Sequence, residues 1–175
     1  MAARTVAIAL ALTLAGIGAG LGAGTGTASA QTPNRIQQFK AWGAYSYKQG
    51  AATVCYVLSV PTTKEPASVD HGDIFFIVSQ RPGQNISYEP QAMMGYTMQT
   101  NSKVTVTIDN KNFTMFTKDK AAWVENAAEE PALVAAMRTG QKMSVSAVSG
   151  RGTKTSYAYS LQGISAALKQ VESCK

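Results

Sequence analysis

Lys103-Val104-Thr105-Val106-Thr107-Ile108-Asp109-Asn110-Lys111-Asn112-Phe113-Thr114-Met115 is the stretch that decides the fold class. Val104, Val106 and Ile108 alternate with polar residues, which puts them on one face of a strand. Asp109-Asn110 turns the chain, and Phe113, Met115 and Thr117 alternate on the way back. The stretch predicts a hairpin, and a hairpin is the unit of an antiparallel sheet. Working outward, Thr53 to Val60 is β-branched and aromatic, and Pro61 ends it. Phe39, Trp42, Tyr45 and Tyr47 mark an aromatic first strand. Asp73 to Ser79 is a continuous apolar run that predicts a central strand covered on both faces. Ala92 to Met98 reads as a strand, or as two short ones bent at Gly95. Met143–Val148 and Tyr157–Leu161 alternate again. Residues 61–72, with two prolines and several small polar side chains, predict an exposed loop.

Two helices interrupt this pattern. Pro131 follows Glu129-Glu130, Arg138 stands near the end of the apolar run and Gly140 lies just beyond it, as helix-end physics requires. Ile164, Leu168 and Val171 space a last amphipathic helix that ends at Cys174. The sum is a mainly β domain: an antiparallel β-sandwich or small barrel of about seven or eight strands with two short α-helices, one C-terminal.

The beginning of the chain reads differently. Arg4 precedes an apolar run from Val6 to about Leu21, and Ala28-Ser29-Ala30 follows. That order predicts a secretory signal peptide, residues 1–30, cleaved after Ala30. Residues 31–38 form a polar lead-in, and 39–175 one domain. No twin-arginine pair precedes the apolar run, which favours the ordinary secretory route. No later stretch is long and apolar enough to span a bilayer. The chain has two cysteines, Cys55 and Cys174. An even count in an exported protein predicts a disulfide, with two buried free thiols as the alternative. The formal net charge is +6 and scattered. No block of Lys and Arg resembles a nucleic-acid tail, so nucleic acid is not an expected partner. Peripheral attraction to anionic lipid or acidic polysaccharide stays open.

The candidates for chemistry are few. The single histidine, His71, lies in Asp70-His71-Gly72-Asp73 and reads as a solvated loop residue. It has neither a second histidine nor a spare thiol with which to build a zinc set. Adjacent acids in a loop do not make a serine triad. Glu125, Glu129 and Glu130 cluster before a helix, where the macrodipole accounts for acids. Gly150-Arg151-Gly152-Thr153 could cradle an anion through backbone N–H groups and the guanidinium, though it lacks the length and ending of a P-loop. Met93, Met94 and Met98 around Tyr96 read as core filling, or as an adaptable binding face. The expectation is no catalytic set, no metal and no cofactor, with Gly150, Arg151, Gly152 and Thr153 as the candidate binding loop. A hydrolase of envelope polymers, working through Asp70-His71 or the acids near Glu129, is the alternative.

The C-terminal half carries a resemblance. Leu133-Val134-Ala135-Ala136-Met137-Arg138-Thr139-Gly140 leads into Met143-Ser144-Val145. Ser149-Gly150-Arg151-Gly152-Thr153-Lys154-Thr155 and Tyr157-x-Tyr159-Ser160-Leu161-x-Gly163-Ile164 follow, with the closing Cys174. This order resembles the invasion-associated locus B family of α-proteobacteria, and Trp42, Cys55-Tyr56 and Phe75-Phe76-Ile77-Val78-Ser79 fit it too. The resemblance implies a periplasmic or secreted protein, in some cases outer-membrane-associated, without an agreed enzymatic activity. Its implied partner is an unknown protein or envelope component, with host-cell invasion as one use. Many relatives have a cysteine shortly after the first tryptophan. Ser46 occupies that neighbourhood here, which leaves Cys55–Cys174 as the sole pair.

Overall fold

The alternation of inward apolar and outward side chains runs through the inner strands of an eleven-stranded sheet. The computed structural model describes residues 32–174, and the expected signal peptide, residues 1–30, lies outside them. In chain order the first strands are β1 (Asn34–Phe39), β2 (Trp42–Gln49), β3 (Ala52–Ser59), β4 (Thr63–Glu65), β5 (Phe75–Arg81) and β6 (Ile86–Met93). Then come β7 (Lys103–Ile108), β8 (Lys111–Lys118), β9 (Ala121–Val124) and helix α1 (Glu130–Thr139). The chain closes with β10 (Lys142–Val148), β11 (Lys154–Ser160) and helix α2 (Ile164–Glu172). All strands belong to one antiparallel sheet in the order β1-β2-β3-β5-β6-β9-β8-β7-β10-β11-β4. The hairpin read from residues 103–115 is β7–β8, with Ile108 opposite Lys111 and Asp109 at φ 50° in the turn.

The architecture corrects the expected sandwich or small barrel of seven or eight strands. One sheet replaces two, it is open, and it has eleven strands. The extra strands include β1, from the polar lead-in, and β4, from within the predicted exposed loop. Both are edge strands with almost wholly exposed side chains. Their order comes from ladder hydrogen bonds to β2 and β11, which no local apolar pattern announces. The open sheet nevertheless curls around one core. The Trp42 indole N–H of β2 donates to the Ser160 carbonyl of β11 at 2.9 Å. Phe76 of β5 meets Tyr159 of β11 edge to face, with ring centroids 6.0 Å apart.

The helices cover this core. α2 buries Ile164, Ala167, Leu168 and Val171 against β1, β2, β3 and β5. α1 buries Leu133, Val134, Ala136 and Met137 against β6 and α2. Just past α2, Cys174 is bonded to Cys55 of β3, with Cα atoms 5.9 Å apart and 119 residues of separation. A loop that long contributes roughly 4–5 kcal/mol in the chain-entropy model.

Two further expectations change. β5 is covered on its inner face by Phe76 and Val78, but Phe75 and Ile77 on its outer face stay half-buried. They are sheltered sideways, within the sheet face they share with Tyr56 and Leu58 of β3. The predicted strand 92–98 ends at Met93 as part of β6, and the chain then leaves the ladder, touching it again at the Met98–Ser149 bridge. Gly95 is the cause. It lies so close to the His71 carbonyl and the Asp73 amide that a Cβ there would overlap both.

Candidate functional site

That departure at Gly95 brings four segments together. The Asp70–His71 loop, the Gly95–Thr97 crossing, Lys120 and the Ser149–Thr155 turn line a cavity of about 680 Å3. Two motifs singled out in the sequence, Asp70-His71 and Gly150-Arg151-Gly152-Thr153, are 80 residues apart and share it.

His71 is not the solvated loop residue that its sequence neighbourhood predicts. It is 6% exposed, with a hydrogen-bond partner on each ring nitrogen. Gly72, at φ 59°, turns the loop inward, and the Asp70 carboxylate accepts from the Gly72 amide at 2.8 Å. The Lys64 ammonium donates to the Gly72 carbonyl at 3.0 Å and anchors the loop from outside. His71 Nε2 lies 3.0 Å from the Pro66 carbonyl. A carbonyl only accepts, so Nε2 is assigned the proton. Nδ1 lies 2.9 Å from the Tyr157 hydroxyl.

From Tyr157 the polar contacts continue. Its hydroxyl is 3.0 Å from the Tyr96 hydroxyl, which is 2.6 Å from Thr155 Oγ1. Thr155 Oγ1 in turn lies 3.3 Å from the Ala147 carbonyl. The chain runs from Pro66 to Ala147 through four side chains. Burial raises the pKa of Tyr157, against a hydrogen bond from Thr155 that lowers it and with further raising by Tyr96. Burial raises Tyr159, deeper in the core, in the same way, with Tyr157 and Tyr96 adding to it. Both phenols stay protonated at neutral pH and do not serve as phenolate bases; the Tyr157 hydroxyl passes a hydrogen bond along, while the Tyr159 hydroxyl is buried without a partner.

The Arg151 turn is built from its own backbone. Gly152 N–H donates to Ser149 O at 2.8 Å, and Ser149 N–H to Thr153 O at 2.9 Å. Gly150 N–H donates to Thr97 O at 2.8 Å, and Thr153 N–H to Ser149 Oγ at 3.1 Å. The amides of Ser149, Gly152 and Thr153 thus close the turn, and that of Gly150 ties it to the Gly95–Thr97 crossing. Arg151 is exposed and lines the cavity, as does Lys120.

The other candidates lie elsewhere. Glu125 is paired with Lys103. Glu129 and Glu130 begin α1, and the Glu130 carboxyl is pushed upward by burial and by Glu89. These acids do not converge on the cavity. Met94 and Met98 are buried core residues, which removes them from any exposed methionine face. Sequence reading missed Tyr96, Thr155 and Tyr157 as a set. Its available signal was polar-tipped side chains at the inward positions of an alternating strand, 155, 157 and 159. Among the described residues no group of three or more His, Cys, Asp or Glu side chains is placed to hold a metal ion. No helix among them is long and apolar enough to cross a membrane.

A family model described as invasion associated locus B (IalB) protein matches residues 42–172. The chain belongs to the IalB family. The match takes in β2 through α2, and with them every wall of the cavity. No curated protein and no solved structure matched the chain. IalB membership suggests an invasion-associated envelope protein, and IalB is not known as an enzyme family. An extracytoplasmic location fits both the IalB family and the Cys55–Cys174 disulfide.

Proposed function

We propose that this IalB-family chain is an exported, non-catalytic envelope protein, periplasmic or secreted, with peripheral contact to the outer membrane. It binds a protein or envelope component at the cavity whose lip is Gly150, Arg151, Gly152 and Thr153. Host-cell invasion is one setting for that binding. The observation that carries the reading is the meeting of the Asp70–His71 loop and the Arg151 turn in one cavity of about 680 Å3, a volume in the range of ligand sites. The lining supports an anionic group on the partner, because it includes Arg151 and Lys120 against the single carboxylate of Asp70.

The test is crosslinking in living cells, from a photoreactive residue placed at Lys154, beside the lip. Wild type is expected to capture a discrete partner, and Arg151→Ala to lose most of it while keeping the wild-type thermal midpoint. Equal capture by both proteins would reduce the Arg151 turn to a connection between β10 and β11.

A further inference from the structure

The outer face of the sheet, turned away from the core, changes character between its two halves. Over β7, β10 and β11 it carries hydroxyls: Thr105 and Thr107 stand opposite Ser146 and Ser144, and Ser146 opposite Ser156. Over β2, β3, β5, β6, β9 and β8 it carries rings and apolar groups. Tyr45 and Tyr56 stack with centroids 5.3 Å apart, and Tyr47 meets Tyr56 edge-on at 6.2 Å. At the other end Phe116 and Trp123 stack at 5.7 Å. Register joins the two groups. Leu58 is opposite Ile77, Ile77 opposite Gln91, Gln91 opposite Trp123, and Trp123 opposite Phe116, one row across β3, β5, β6, β9 and β8. A cavity of about 460 Å3 opens on this row, with Tyr47, Tyr56, Ser79, Arg81 and Gln91 in its lining. It shares no residue with the Arg151 cavity.

The charges on this face are matched. The lining carries one, Arg81, and Glu89 neutralises it while also accepting from Gln91. Lys103, opposite Phe116, is paired with Glu125. Arg35 sits over the Tyr45 ring, outside the lining. A groove without surplus charge complements an uncharged ligand. An acyl chain would strip water from Ser79, Gln91 and the tyrosine hydroxyls without replacing it. The ladder groups of β3, β5 and β6 are paired on both sides, so an extended peptide finds no edge to join. The face is the convex side of a curled sheet. A second copy would touch it along a line, short of the roughly 800 Å2 per partner that a stable dimer buries.

The ligand that satisfies all of these conditions is a narrow chain with apolar C–H faces and hydroxyl edges, which is a polysaccharide. Pyranose C–H groups pack on the electron-rich faces of aromatic rings, and planar amide and guanidinium groups meet sugar hydroxyls. Strands repeat about every 4.8 Å along the row, close to the advance of one sugar in an extended β-1,4-linked chain. The stacks fix the rings before the ligand arrives, which lowers the cost of ordering them. We infer that the outer face binds an uncharged β-1,4-linked glycan lying across the strands, with Tyr47 and Tyr56 at one end of its track and Trp123 and Phe116 at the other. This surface is separate from the Arg151 cavity and adds a second ligand to it.

The chain has two tryptophans, and Trp42 is fully buried, so a fluorescence change on binding reports Trp123. The probes are hexamers of β-1,4-linked N-acetylglucosamine and of β-1,4-linked glucose, with the coiled α-1,4-linked glucose hexamer for comparison. At least one β-1,4 hexamer should shift the Trp123 emission and bind about tenfold or more tighter than the α-linked one in calorimetry. Phe116→Ala and Tyr56→Ala should each weaken that binding about tenfold. Thr107→Ala, on the hydroxyl half, and Arg151→Ala should leave it unchanged. Phe116 is 42% exposed, so its truncation spares the core, and near-UV circular dichroism checks the fold of Tyr56→Ala. Undiminished binding by both ring variants would overturn the site, and loss in Arg151→Ala would move the glycan to the other cavity. Equal affinity for the α-linked hexamer would overturn the β-1,4 class. No binding of any hexamer, with Arg151-dependent crosslinking intact, would overturn this inference and leave the cavity reading standing. A decaproline peptide is the last probe: if it binds and the hexamers do not, the groove belongs to a proline-rich protein segment and the glycan is overturned.

Discussion

Trp42 and His71 both reach β11 from the inside, one at Ser160 and the other at Tyr157. Around Trp42 the neighbours are apolar, α2 lies across the opening, and the Cys55–Cys174 bond ties that helix to β3. Around His71 the buried groups are hydroxyls and carbonyls joined in one chain, and the cavity opens above them. An apolar end gains stability from area removed from water, roughly 25 cal/mol per Å2, and needs no particular chemistry. A buried polar end gains little on balance and is costly when any member loses its partner. The difference teaches where to look for function. The sealed end explains how the sheet stays curled, and the polar end contains groups that folding alone does not call for.

The largest expected effect breaks the sealed end covalently. Changing Cys55 and Cys174 to serine removes a 119-residue loop closure and should cost about 4 kcal/mol, read as a lower urea midpoint. Below the transition, the His71 ring signals in NMR should be unchanged. If they change, the two ends are one cooperative unit. Next in size is Trp42→Phe, which removes the 2.9 Å bond to Ser160 O and leaves space in the core. About 2–3 kcal/mol is expected from the lost packing and the unpaired carbonyl together, measured in the same way.

The two ends were also unequally legible. The spacing of Ile164, Leu168 and Val171 shows α2 directly, and Val104, Val106 and Ile108 show the central hairpin, because local periodicity reports which face is buried. The edge strands β1 and β4 were hidden, since polar side chains at an edge carry no such period. His71 was misread for a related reason. Asp70-His71-Gly72-Asp73 has the composition of a solvated loop, and the burial is supplied by Tyr157, 86 residues away, and by the close approach of Gly95. Arg151 could be picked out because an arginine between glycines is exposed by its own local sequence. Tyr96 and Thr155 could not, since their role exists only when the β6 exit crosses the start of β11.

Tyr157→Phe sharpens the comparison at the polar end. It strips one hydroxyl from the middle of the chain and leaves His71 Nδ1 and Tyr96 each short of a partner. A cost of about 1–2 kcal/mol is expected from denaturant unfolding, smaller than at Trp42 because little volume is lost. Changing Tyr96→Phe together with Tyr157→Phe should cost less than the sum of the two single changes, because the two hydroxyls are bonded to each other and removing both leaves fewer groups unpaired. Strict additivity would mean that the hydroxyls act as separate contacts and not as one chain.

The smallest effect on stability is expected at Arg151, the residue with the largest expected effect on binding. Its side chain is exposed, and the turn is closed by the amides of Ser149, Gly152 and Thr153, so Arg151→Ala should leave stability within about 0.5 kcal/mol of wild type. Gly152→Ala is the control. Its φ of 83° disfavours a side chain, so about 1 kcal/mol or more should be lost even though nothing lies within 4 Å of the added Cβ. A turn that loses stability at glycine but not at arginine is shaped by its backbone and leaves its one charge uncommitted. Reversal of that order would mean that the guanidinium holds the turn together, and Arg151 would then belong with Trp42 among the residues that keep the sheet folded.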